Sequence, residues 1–114
     1  MQTINSKFNH LRSQPPGPTA DIHQLLDFLR HYGSLCTHIT ECGVRNCVSS
    51  WAFLRGLLDT GSNQTTLVGV DLERSKDVDI VAKAAVEAGI NYSFIKGNDL
   101  QVQIDSTDLL FIDT

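Results

Sequence analysis

Residues 39–50 combine a carboxylate, a glycine and two serines at a spacing that could hold a polar ligand. Glu41 ends a short apolar run, Gly43 follows two residues later, and Ser49 and Ser50 open a second apolar run. Where a strand passes into a helix in an open α/β sheet, the end of the strand and the free N–H groups of the helix border one crevice. The segment therefore predicts a ligand-binding corner, although Ser49 and Ser50 are also residues that simply cap helices.

Three further apolar runs also end at polar residues. They are 66–70 before Asp71, 91–95 before Lys96-Gly97-Asn98-Asp99, and 108–112 before Asp113. The run 66–70 is continuous and does not alternate, which is typical of a strand buried in a parallel sheet. Because parallel strands end at the same edge of a sheet, we expect these polar residues to lie near Glu41.

Helices are predicted between these strands. Ile22, Leu25, Leu26, Leu29 and Tyr32 recur at helical spacing and predict a helix over 20–32, closed by Gly33. Apolar residues in 51–58 and 80–88 predict two more helices. Such alternation predicts an α/β fold, a Rossmann-like parallel sheet with right-handed crossovers and helices on both faces.

The N-terminal segment 1–19 is polar and ends in Pro15-Pro16-Gly17-Pro18. Since prolines exclude a helix and favour extended chain, we expect residues 1–19 to form an arm outside the core. Residues 20–114 are then the single folded domain, which suits a chain of 114 residues that is 41% hydrophobic.

Composition excludes several classes of function. The net charge of -4 argues against a protein that binds nucleic acid or anionic membranes, and no apolar run could span a bilayer or act as a secretory signal. We therefore expect a cytoplasmic protein. The cysteines, Cys36, Cys42 and Cys47, lack the spacing of a zinc site and are expected to be reduced thiols.

Two enzyme classes are poorly supported by the motifs. A dinucleotide fold requires Gly-x-Gly-x-x-Gly, and only Gly43 is present at the corner. A serine hydrolase of the α/β type would need Gly-x-Ser-x-Gly, which is absent. The histidines have no partner at catalytic spacing, so we expect structural or surface roles for them.

The spacing Glu41-x-Gly43-x-x-x-Cys47-x-Ser49 resembles the first motif of class I S-adenosylmethionine-dependent methyltransferases, which commonly runs Glu-x-Gly-x-x-x-Gly-x-Ser. Three later segments are similar to the second, third and fourth strands of that family: Val68-Gly69-Val70-Asp71, Phe94-Ile95-Lys96-Gly97-Asn98-Asp99 and Asp108-Leu109-Leu110-Phe111-Ile112-Asp113. The resemblance covers residues 20–114, and Cys47 stands where the family often has glycine.

The resemblance implies a strand order 3-2-1-4 and S-adenosylmethionine as cofactor. The residues that it places around the cofactor are Glu41, Gly43, Arg45, Ser49, Asp71, Asn98 and Asp99. Asp71 would hold the ribose hydroxyls, Asn98 or Asp99 would meet the adenine amine, and Glu41 would attract the cationic part. Asp113 would face the substrate, and in the catechol O-methyltransferase-like branch it would bind a divalent cation such as Mg²⁺.

The family's domain normally continues past this fourth strand with further helices and three more strands. The resemblance therefore implies half of a seven-stranded methyltransferase domain, either part of a longer protein or a truncated protein that forms a homodimer through the open edge of the fourth strand. The expected function is O-methyl transfer to a small hydroxyl compound or sugar. A non-catalytic α/β interaction module and a nucleotide-dependent oxidoreductase remain as alternatives.

Overall fold

The structure, a computed structural model, describes residues 2–14, 25–98 and 101–113. Its elements, in chain order, are α1 (Gln2–Ser13), α2 (Leu26–Gly33), β1 (His38–Cys42), α3 (Val48–Asp59), β2 (Thr66–Asp71), α4 (Lys76–Glu87), β3 (Asn91–Lys96) and β4 (Leu109–Ile112). No described helix is long and apolar enough to cross a membrane.

The four strands form one parallel sheet in the order β3-β2-β1-β4, which confirms the predicted fold class and strand order. In the register of the sheet, Glu41 of β1 lies beside Gly69 of β2 and Phe111 of β4. All four strands therefore end at one edge, where Gly43, Asp71 and Asp113 follow or close them.

The described helices form one layer on one face of the sheet, where α3 packs against α1, α2 and α4. The steps from β1 to β2 and from β2 to β3 run in the same direction, so right-handed crossovers place α3 and α4 on the same side. The step from β3 to β4 returns over the other face. There the segment Gln103–Asp105 lies over Thr40 and Ser93, so within the described residues the second helical face that we expected is replaced by irregular chain.

The N-terminal segment corrects a prediction, because residues 2–13 form α1 and contribute to the core. Ile4 and Phe8 are fully buried, and Leu11 packs against the same core. These three residues recur at i, i+4 and i+7, which is the spacing of one helix face. The prolines that suggested an extended arm come after the helix, so they do not interrupt it. They lie outside the described residues.

Helices α2 and α3 approach each other through two glycines. A Cβ on Gly56 would lie 2.5 Å from the Arg30 carbonyl oxygen and 2.9 Å from the Gly33 Cα. Gly33 is the last residue of α2 and Ser34 is its C-cap, so Gly33 serves helix packing and does not cap the helix as predicted. The first part of the predicted helix 20–32, up to residue 24, lies outside the described residues.

The outer edge of β4 has no neighbouring strand among the described residues. On this strand Leu110 is 45% exposed and Ile112 is 59% exposed. An uncovered apolar edge strand is a site where another strand can pair. The homodimer predicted for this edge stays a prediction.

We expect Gly56→Ala to lower the free energy of unfolding by about 3 kcal/mol, because the added methyl group would force the backbones of α2 and α3 apart. Gly61→Ala is the control, since a Cβ there meets no atom within 4 Å and only the left-handed φ of +74° is penalised, by about 1 kcal/mol. Urea unfolding of both variants measures the difference. Equal effects would contradict the close contact.

We also expect Phe8→Ala to cost about 3 to 5 kcal/mol, the usual penalty for emptying a buried phenylalanine site. Asn9→Ala, one position along the exposed side of the same helix, should change stability by less than about 0.5 kcal/mol. The measurement is again the urea midpoint. If Phe8→Ala behaves like Asn9→Ala, the segment is an arm outside the core after all.

Candidate functional site

A cleft of about 280 Å³ opens at the edge where β1, β2 and β3 end. Its lining residues are Gly43, Arg45, Val70, Asp71, Leu72, Gly97 and Asn98. Four of the residues predicted around a cofactor, Gly43, Arg45, Asp71 and Asn98, are thus brought together. The volume is close to the lower end of the range for small-molecule pockets.

The turn after β1, residues 43–47, shapes one wall of the cleft. Three of its residues adopt left-handed backbone conformations: Gly43 at φ 88°, Arg45 at φ 49° and Cys47 at φ 66°. The Gly43 N–H donates to the Val70 carbonyl oxygen at 2.9 Å, and the Cys47 N–H donates to the Val44 carbonyl oxygen at 2.9 Å. A left-handed conformation costs about 1 kcal/mol at a residue with a side chain, so the surroundings must hold Arg45 and Cys47 in place.

Asp71 supplies part of that support. Its Oδ2 accepts a hydrogen bond from the Arg45 N–H at 2.8 Å, and its Oδ1 accepts one from the Leu72 N–H at 2.7 Å. The Arg45 carbonyl oxygen in turn accepts a hydrogen bond from the Ser75 hydroxyl at 3.0 Å. A carboxylate has about four acceptor positions, so each Asp71 oxygen keeps one that can face the cleft.

Glu41 lies behind this turn and does not line the cleft. Its side chain is 0% exposed, and its oxygens accept hydrogen bonds from the Ser49 hydroxyl at 3.0 Å and from the Ser50 hydroxyl. Burial raises the pKa of Glu41 to about 7. The two hydroxyl donors act in the opposite direction and lower this pKa, whereas the charge of Asp113 raises it further. At neutral pH both protonation states of this carboxyl group are therefore populated.

The hydroxyl groups of the two serines donate hydrogen bonds to Glu41 and do not cap the helix, which was one of the roles that the sequence suggested. Cys47 is the N-cap residue of α3, and no side chain caps the helix there. The Ser49 and Ser50 hydroxyls both donate to Glu41, because a buried carboxyl group without donors would be costly. The position beside the cofactor that the resemblance gives to Ser49 stays a prediction, and the Ser49 hydroxyl proton is already donated to Glu41.

Two further residues lie near Glu41: Cys47, which the sequence placed in the first motif without a role, and Tyr92, which the sequence did not indicate. Burial and the nearby Glu41 raise the pKa of the Cys47 thiol to about 12, so this thiol is unreactive at neutral pH. The Tyr92 hydroxyl is buried without a hydrogen-bond partner among the described residues, and a Cβ on Gly69 would lie 2.9 Å from it. Glycine inside a strand is the one sequence signal of such a close approach.

The remaining predicted residues lie at the same edge or outside the described part. Asp113 follows β4, is exposed, and donates its N–H to the Cys42 carbonyl oxygen at 2.9 Å. Asp99 lies outside the described residues. Within residues 2–14, 25–98 and 101–113, no group of three or more His, Cys, Asp or Glu side chains could hold a metal ion. The Mg²⁺ site predicted at Asp113 is therefore not supported.

Comparison of sequences gives no family, since no protein-family model matches and no curated protein gives a significant match. Comparison of structures does give similar folds. The S-adenosylhomocysteine-bound methyltransferase PaMTH1 of Podospora anserina matches all of this chain with a TM-score of 0.61 and 20% sequence identity. A proposed O-methyltransferase from Klebsiella pneumoniae matches 99% of it with a TM-score of 0.52 and 17% identity.

The match covers only part of each of those structures. This chain spans 50% of the Podospora anserina chain and 52% of the Klebsiella pneumoniae chain. The resemblance of the fold to class I methyltransferases is confirmed over that half of their length.

Proposed function

We propose that the chain binds S-adenosylmethionine in the cleft and forms the donor half of a methyltransferase site. The observation that carries the proposal is the position of Asp71. Its two oxygens are fixed by two backbone N–H groups, and each keeps an acceptor position beside a left-handed turn at the strand edge. Two adjacent ribose hydroxyls are the donors that such a carboxylate fits. The fold shared with a methyltransferase that binds S-adenosylhomocysteine supports the same ligand class.

The other groups of the ligand have candidate partners around the cleft. Residues at the start of a helix have N–H groups without intrahelical partners, and these groups at α3, with the exposed Arg45 side chain, suit the amino-acid carboxylate of the ligand. The side chain of Asn98 borders the cleft on the side expected for adenine. Asp71 is the acidic residue that lines the cleft, whereas Glu41, which the resemblance placed near the cationic groups, is buried behind the turn 43–47.

When bound, S-adenosylmethionine supplies a methyl group attached to a sulfonium sulfur, and this methyl group is transferred to a nucleophile by in-line displacement. The residues of this chain contribute by positioning the methyl donor. In such a reaction, most of the barrier that a protein can remove comes from aligning donor and acceptor. Asp71 and the turn 43–47 fix the donor. Transfer to the hydroxyl of a small compound or sugar is proposed only with an acceptor side supplied by further sequence or by a partner, because the chain spans half of each similar structure.

Calorimetric titration with S-adenosylhomocysteine tests the proposal. We expect binding by the wild type, and a loss of affinity of at least about tenfold in Asp71→Ala, since a hydrogen bond to a charged group is worth about 1.5 to 3 kcal/mol. Asp79→Ala is the matched control: Asp79 is exposed on α4, does not line the cleft and forms its ion pair with Arg74, so affinity should stay unchanged.

Two results would contradict the proposal. The first is the absence of binding heat at high concentration of folded protein, which would favour an interaction module that has kept only the fold. The second is equal affinity in Asp71→Ala and Asp79→Ala, which would place the ligand elsewhere.

A further inference from the structure

Glu41 belongs to a buried group of polar side chains that the cofactor contacts above do not require. We call Glu41, Cys47, Ser49, Ser50 and Tyr92 the Glu41 cluster. The two serines come from the first turns of α3, Cys47 from the turn 43–47, and Tyr92 from β3, across the space left by the missing side chain of Gly69. The cluster thus joins β1, α3 and β3 to the turn 43–47, and this turn lines the cleft.

In the part of the chain that the structure describes, no cation pairs with the carboxyl group of the Glu41 cluster; the cation that acts on the cluster, through Tyr92, is Arg74, which is already paired with Asp79. Among the described residues, none of the ion pairs includes Glu41, and the charged group that acts on it most is the acidic Asp113 after β4. The neighbouring strand β2 faces it with Gly69, and β3 with the neutral phenol of Tyr92. On the far side of Cys47 the charged neighbour is again acidic, Asp77 of α4.

A buried carboxylate without a cation is costly, so the group either keeps its proton or acquires a positive partner. The serine hydroxyls can hold the ionised form, because both donate to it. The cleft begins at Gly43, two residues after Glu41. A cation bound in the cleft would add positive charge on the cleft side of the turn 43–47, behind which the Glu41 carboxyl group lies.

We propose that Glu41 is a positioning residue whose ionisation is coupled to ligand binding: a cationic ligand in the cleft expels one proton from the Glu41 cluster, and the resulting carboxylate holds the start of α3 through Ser49 and Ser50. The O–H bond of the Glu41 carboxyl group breaks, the proton passes to the solvent, and no electron is transferred. The inference rests on the proposed function for the identity of the ligand.

The sign of the pH effect follows from the burial of Glu41. Without ligand, its pKa in the folded protein is raised to about 7 from the ordinary 4.5. A nearby cation favours the charged form and lowers that pKa. Binding should consequently be weaker at low pH, where a proton must be removed first, and stronger at and above neutral pH.

Calorimetric titration of the full chain with S-adenosylmethionine at several pH values tests the coupling. Between pH 5.5 and 7.5 we expect affinity to rise by about 20-fold, the ratio that follows if ligand lowers the pKa from about 7 to below 5.5. Near pH 6 the heat should depend on the ionisation enthalpy of the buffer with close to one proton released. Glu41→Gln keeps the shape of the side chain but cannot titrate, so both effects should disappear.

Two further variants provide a control and a substitute for Glu41→Gln. Glu87→Gln removes an exposed glutamate on α4 and should behave like the wild type. Ser50→Ala removes a donor that favours the ionised form, so the midpoint of the pH dependence should move upward, and this variant serves if Glu41→Gln does not fold. A pH dependence that survives in Glu41→Gln, or a midpoint that stays in place in Ser50→Ala, would overturn the coupling.

The outcomes separate the two proposals. If neither S-adenosylmethionine nor S-adenosylhomocysteine binds at any pH, the proposed function fails and the coupling fails with it. If the ligands bind to the wild type with constant affinity and no buffer-dependent heat, the coupling alone is wrong. Binding that strengthens with pH in the wild type and in Glu87→Gln, but not in Glu41→Gln, supports both.

Stability in the absence of ligand gives a second measurement. Between pH 4.5 and 7 the folded protein holds a proton that the unfolded chain has released, so the stability from this group is complete below pH 4.5 and is lost as pH rises to about 7. Between pH 4.5 and pH 7 the unfolding equilibrium constant of the wild type should increase by about 80-fold more than that of Glu41→Gln. Parallel curves for the two proteins would show that Glu41 does not titrate in this range, and the coupling would be wrong.

Discussion

Glu41 is a fully buried acidic residue near the end of β1, and its two hydrogen bonds from Ser49 and Ser50 join the strand to α3. A carboxyl group in this position cannot be left without donors, since an unsatisfied buried polar group costs several kcal/mol. The requirement fixes where α3 begins relative to the sheet. It thereby fixes the length and path of the turn 43–47 and the shape of the cleft.

The turn is held from the opposite side by Asp71. Its carboxylate accepts one N–H from the turn and one from the start of the β2–α4 connection, so the ends of β1 and β2 share a single acidic side chain. The two acidic residues lie on adjacent strands and have different surroundings. Glu41 faces the helix layer and is dry, whereas Asp71 faces the cleft and keeps acceptor capacity for a ligand.

Several features could be predicted from the sequence because they depend on local pattern. The continuous apolar run before Asp71 and the apolar run before Asp113 predict parallel strands, and the order β3-β2-β1-β4 agrees with the order implied by the resemblance. Features that depend on tertiary contacts were not predicted correctly. The helical spacing of Ile4 and Phe8 was outweighed by prolines that come after the helix, and the capping preference of serine concealed the demand of Glu41 for donors. The approach of Tyr92 to Gly69 joins two strands, so no window of sequence contains it.

The strand order also bears on how the chain folds during synthesis. β1 is an inner strand of the sheet, yet one of its neighbours, β4, is made after the other three described strands. About 70 residues separate the ends of the two strands, so at roughly 5 to 20 residues per second the inner strand stays an edge for several seconds. Throughout that interval a nascent chain exposes to mispairing the backbone of Ile39 to Cys42 that β4 will later cover.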